Sequence, residues 1–131
     1  MRNAEDIESY LVRMETLYDA VGDGIWVVKD VGPELVISLA DSVAVFRVKV
    51  MELATVPAGR REDLYRRLLE LNAEDMLHGA YGLDQGAVVV TDALQLENLD
   101  FNEFQATLDD IGLAVTNHYP ELTKYAAGEV P

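Results

Sequence analysis

Apolar residues near the start of the chain recur at spacings of three and four: Ile7, Leu11, Met14, Tyr18 and Val21 fall on one stripe. That period predicts an amphipathic helix from Ala4 to Ala20. Asn3 is its N-cap, the acidic residues that follow suit the positive end of the helix dipole, and Gly22-Asp23-Gly24 ends it. The period then shortens. Ile25–Val31 is rich in Val, Ile and Trp and stops at Gly32-Pro33. Glu34–Ala40 puts Leu35, Ile37 and Leu39 on one face. Val43–Leu53 puts Ala44, Phe46, Val48 and Val50 on one face and Arg47 and Lys49 on the other. The turns between these runs are short enough for antiparallel hairpins.

After a connector at Thr55–Gly59 the helical period returns. Leu64, Leu68 and Leu71 form one line of a helix from Arg60 to Glu74, widened by Tyr65 and Leu69. His78–Leu83 and Ala87–Leu96 read as two strands joined by the turn Asp84-Gln85-Gly86. Asp100 opens the last helix with Glu103 three residues on, and Phe101, Phe104, Leu108, Ile111, Val115 and Tyr119 follow at helical spacing. Pro120 is expected to kink or interrupt this helix, and the tail after Tyr125 to be loose. The order α-β-β-β-α-β-β-α predicts an α+β fold: a twisted, mainly antiparallel sheet with helices packed on it. No repeat or long linker divides the chain, so a single domain over residues 1–131 is expected.

Composition narrows the function. Ten Lys+Arg against 24 Asp+Glu give a net charge of −14. Such a surface repels phosphate backbones and anionic lipid heads, which argues against nucleic acid and membrane as partners and favours basic ones. The chain has no cysteine, which excludes disulfides and thiolate metal sites and fits a reducing cytosol. Glu5, Asp6 and Glu8 stand where a signal peptide needs basic and then apolar residues. Apolar runs such as Ile25–Val28 and Ala87–Val90 fall far short of the roughly 20 residues of a membrane span. A cytoplasmic location is expected.

The search for chemistry yields little. Ser9, Ser38 and Ser42 sit in no nucleophile elbow, and His78 and His118 have no partner evident in sequence. No metal-binding spacing exists, and Asp84 and Asp92 merely flank a strand. Glu74-Asp75 and Asp109-Asp110 are neighbours that diverge on a helix, and the glycines of 22–24 and 79–86 form no phosphate loop. No catalytic set and no cofactor motif emerges, which predicts a non-enzyme. Arg60, Arg61, Arg66 and Arg67 alternate with Glu62, Asp63 and Glu70, which reads as a solvated, ion-paired helix face, the alternative being an interface patch for an acidic partner or subunit. Large apolar residues exceed what one small core needs. Trp26, Val28, Met51, Tyr65, Leu69, Met76, Tyr81 and Tyr125 are candidates for an interface.

Three stretches carry a resemblance: “LYRRLLELN” (Leu64–Asn72), “HGAYGLDQGAVVV” (His78–Val90) and “LENLDFNEFQATLDDI” (Leu96–Ile111). A helix ending in Leu-Asn, a Gly-Leu-Asp-x-Gly hairpin, an apolar strand and Leu-x-x-Leu-Asp before the last helix resemble the Tir-chaperone (CesT-like) and YbjN-like superfamily, with its type III secretion chaperone-like fold. The resemblance implies a homodimer that holds a partner's segment in extended form over apolar surface. It places Leu64, Leu68 and Leu71 at a dimer interface and Tyr81, Val88 and Val90 near the partner; the apolar surplus adds Tyr65 and Leu69 to the interface and Trp26 and Val28 to the partner surface. The alternative is a YbjN-like regulatory or small-ligand-sensing domain with a pocket between sheet and helices.

Overall fold

The computed structural model describes residues 1–128. Helix α1 (Ala4–Arg13) is followed by strands β1 (Tyr18–Gly22), β2 (Ile25–Val28), β3 (Leu35–Ala40) and β4 (Val43–Glu52). Two short 3-10 turns, Leu53–Thr55 and Ala58–Arg60, lead into α2 (Arg61–Glu74). Strands β5 (Ala80–Asp84) and β6 (Ala87–Gln95) precede α3 (Phe101–Ala126). The six strands form one antiparallel sheet in the order β1-β2-β3-β4-β6-β5. The α+β class and helix-on-sheet layering agree with the sequence reading.

One strand was hidden in it. The helix expected to reach Ala20 ends at Arg13. Asn3 and Asp6 close a reciprocal capping box at its start, but Glu15 adopts φ +56°, a left-handed conformation that no helix continues through. The Leu17 N–H then donates to the Asp30 carboxylate at 3.0 Å, and the Thr16 hydroxyl donates to the same group. These bonds reverse the chain into β1, so Tyr18 and Val21 continue the helical spacing only by coincidence.

Alternation along the strands sorts the sheet's two faces. Trp26, Val28, Leu35, Ile37, Phe46, Val48, Val88 and Val90 point inward. They join Ile7 and Leu11 of α1, Leu64, Leu68 and Leu71 of α2, and Phe104, Leu108, Ile111, Val115, Leu122 and Tyr125 of α3 in one cluster. Each large side chain so enclosed contributes about 1.5–3 kcal/mol. The opposite face carries half-buried Val27, Val36 and Val45 with Arg47 and exposed Lys49.

Helix α3 runs through Pro120 without interruption. Proline there removes the bond to the Thr116 carbonyl, yet Leu122 and Tyr125 beyond it are buried, and their packing outweighs one lost bond. The β2–β3 loop lies very close to α3. A β-carbon on Gly112 would stand 2.3 Å from the Val31 carbonyl oxygen, and one on Gly32 2.2 Å from Thr116 Oγ1. The helix ends at Ala126; for residues 129–131 the expected loose tail lies outside the described residues.

Candidate functional site

The apolar surplus seen in the sequence is largely core. Trp26, Val28, Tyr81, Val88 and Val90, expected near a partner, are all buried within the chain. Leu64, Leu68 and Leu71, expected at a dimer interface, are buried against the sheet. These assignments are corrected by the same cause: α1, α2 and α3 pack over the inner face and bury these side chains. Of the five α2 residues only Tyr65, half-buried, and Leu69, 69% exposed, face outward. They border a shallow depression with Glu62, Arg66, Glu70 and Ala73.

What remains open is an edge. Strand β1 pairs with β2 on one side only, and among the described residues no strand lies on its other side. The Lys29 N–H donates to the Leu17 carbonyl at 2.9 Å, making those two residues a hydrogen-bonded pair. Such pairs alternate along an antiparallel ladder, so Asp19 bonds toward Val27 while Tyr18 and Ala20 turn their N–H and C=O groups outward. Exposed apolar side chains surround this edge: Leu17 at 66%, Val21 at 59%, and Ile25 on the neighbouring strand.

The opposite edge is capped at one residue. The Asn72 side chain on α2 accepts the Tyr81 N–H at 2.7 Å and donates to the Tyr81 carbonyl at 3.1 Å, satisfying both groups as a neighbouring strand would. Behind it, the Tyr81 hydroxyl meets His118 Nδ1 at 2.8 Å, and His118 Nε2 meets Asp75 at 3.1 Å. Burial, then Glu121 and Asp75, push the Tyr81 hydroxyl far above the ordinary phenol range. His78 meets Asp110 at 2.7 Å. Both histidines therefore have carboxylate partners, a correction to the sequence reading. No pattern could reveal pairs separated by 32 and 43 positions.

The arginine row is also more anchored than expected. Arg67 grips Glu121 of α3 through two bonds, at 2.6 and 3.2 Å, besides reaching Glu70. Arg61 donates to the Val56 and Leu53 carbonyls. Arg60 pairs with Asp63 and lies over the Tyr125 ring. Among the described residues no group of three His, Asp or Glu side chains is arranged to hold a metal ion, and no helix is long and apolar enough to cross a membrane.

Three helices layered on a six-stranded antiparallel sheet define an α+β class, and the sequence places it further: residues 1–128 match the CesT_Tir_1 family model, and the chain belongs to that family. Solved structures share the fold. A chain of the heterodimeric ExoU–SpcU complex from the type III secretion system of Pseudomonas aeruginosa superposes with a TM-score of 0.69 at 19% identity, covering 87% of this chain and 95% of that one. YbjN, a putative transcription regulator from E. coli, gives 0.69 at 14% identity, with 92% and 93% covered. A chain of the ExsC–ExsE complex gives 0.59 at 13%, with 93% and 97% covered. No curated protein sequence matches.

Proposed function

We propose that this chain is a non-enzymatic, chaperone-like or adaptor protein that holds a segment of a partner polypeptide as an added strand along β1. It works in the cytoplasm as a homodimer paired through the outward face of α2, around Tyr65 and Leu69. The observation that carries the reading is the uncovered β1 edge, with the main-chain groups of Tyr18 and Ala20 facing out beside exposed Leu17, Val21 and Ile25. Main-chain bonds to an added strand supply affinity whatever the partner's sequence, and flanking apolar contacts supply preference. Family membership and the folds of chains found in ExoU–SpcU and ExsC–ExsE complexes support a polypeptide partner.

The test starts from a polypeptide recovered with the purified chain from its own cells. Hydrogen exchange of the complex should slow at the Tyr18 and Ala20 amides and leave Tyr81 unchanged. Ala20→Pro, which removes an outward N–H without breaking the β1–β2 ladder, should weaken the complex about tenfold or more. Unaltered exchange along β1 would overturn strand addition. For the dimer, light scattering should show two copies for the native chain and one for Leu69→Asp; a monomeric native chain at high concentration refutes it.

A second reading has its own observation. An apolar cavity of about 350 Å³ lies between the β2–β3 loop and α3, lined by Gly32, Pro33, Val115, Thr116, Tyr119 and Pro120. A small ligand there would make the chain a sensing domain, in keeping with its likeness to a putative regulator. Thermal stabilisation by a metabolite, with no polypeptide recovered, would favour that reading over the first.

A further inference from the structure

The flank between α2 and α3 carries a feature that the β1 edge does not account for. A groove of about 380 Å³ there combines two strongly exposed leucines, Leu77 at 86% and Leu113 at 61%, with the carboxylates of Asp75, Asp110 and Glu121. Its one arginine, Arg67, is already bound by Glu121 and Glu70, while Asp75 and Asp110 each meet one histidine, His118 and His78, and keep a second oxygen for a further donor; three carboxylates stand against one fixed cation. We propose that this groove receives a basic amphipathic helix of a partner protein, whose apolar face covers Leu77 and Leu113 and whose Lys or Arg residues reach Asp75 and Asp110.

Three observations select that occupant. Exposed leucines beside a surplus of carboxylates are complementary to an apolar stripe flanked by cations, and the chain's net charge of −14 draws such a segment in. A symmetric contact with a second copy would bring Asp75 and Asp110 against acidic surface of the same kind, and anionic lipid or nucleic acid meets the same repulsion. Finally, Asn72 already satisfies the Tyr81 main chain on this side, so the neighbouring strand offers nothing there for an extended segment to pair with. An occupant that carries its own backbone bonds, a helix, fits where a strand does not.

The test uses the full chain and a fluorescent lysine–leucine amphipathic peptide of about 18 residues, with a glutamate–leucine peptide of the same pattern as control. Anisotropy should show the lysine peptide binding at least about tenfold more tightly than the control. Leu77→Ser combined with Leu113→Ser should weaken it about tenfold, with unchanged circular dichroism, whereas Leu83→Ser, exposed on β5 and outside the groove's lining, should not. Asp75→Asn and Asp110→Asn should each weaken it several-fold and flatten its salt dependence. Ala20→Pro should leave it intact, so this site and the β1 edge fail separately. Native-like binding by the double serine variant would reduce the effect to general charge attraction and overturn the proposal. So would self-association that the double variant abolishes, which would make a second copy the occupant.

Discussion

The two outer strands of the sheet are built from the same antiparallel geometry and meet opposite fates. At β5 a single amide side chain, Asn72, takes both main-chain groups of Tyr81, and α2 shelters the strand. At β1, among the described residues, no side chain caps the outward main-chain groups; the strand is held by its ladder to β2, by the Asp19–Lys29 ion pair, and at its start by Asp30, which binds Thr16 and Leu17. Exposed edges invite pairing with other chains, and proteins commonly blunt them. This chain blunts one and leaves the other beside apolar side chains. The difference teaches that an open edge is a choice the surrounding side chains make, since the same fold shows how one is capped.

The largest expected effect tests what supports β1. Gly112→Ala should cost about 3 kcal/mol in chemical denaturation, because its methyl meets the Val31 carbonyl oxygen and pushes the β2–β3 loop off α3. Exchange along β1 should quicken while β5 stays protected; a loss confined to β5 would sink the link between that loop and the edge. Asn72→Ala should cost about 2 kcal/mol by stranding two main-chain groups. It should also abolish the contrast between edges, seen as concentration-dependent association that Asn72→Asp, still able to accept the Tyr81 N–H, shows only partly. An unassociated Asn72→Ala variant of native stability would contradict the capping role.

The smallest effect concerns Asp30. Its bonds to the Thr16 hydroxyl and then the Leu17 N–H hold the carboxyl below its ordinary range. A depressed folded value means that the contribution is complete above the unfolded value, about 3.9, and is lost as pH falls through the folded one. Asp30→Asn should therefore lower stability at pH 7 by less than about 1 kcal/mol, given solvent screening, and by progressively less in acid. A deficit that stays constant as the solution is acidified would show that the charge is not what anchors β1.

Local patterns made most of the fold legible. Period-two alternation marked β3 and β4, the turn Asp84-Gln85-Gly86 marked β6 as a return strand, and Asp100 declared the start of α3, where it accepts the Glu103 N–H at 2.8 Å. Strand β1 was missed because its cause, Asp30, lies 13 and 14 positions downstream of the residues it turns. The site was less legible. Sequence identifies an apolar face but not whether another element covers it, so Trp26, Val28, Tyr81, Val88 and Val90 read as surface while belonging to the core. Which strand ends the sheet depends on strand order, a property of the whole chain. Tyr65 and Leu69, by contrast, were placed beside the main leucine line, and that offset is what leaves them facing outward.

The Asn72 cap also bears on stoichiometry. In the language of polymer growth, a subunit with two free edges has a functionality of two and can add neighbours indefinitely into a fibre, whereas a functionality of one ends with the first addition. By satisfying Tyr81, Asn72 removes part of the β5 edge, so addition of a strand at β1 is favoured over growth through both edges.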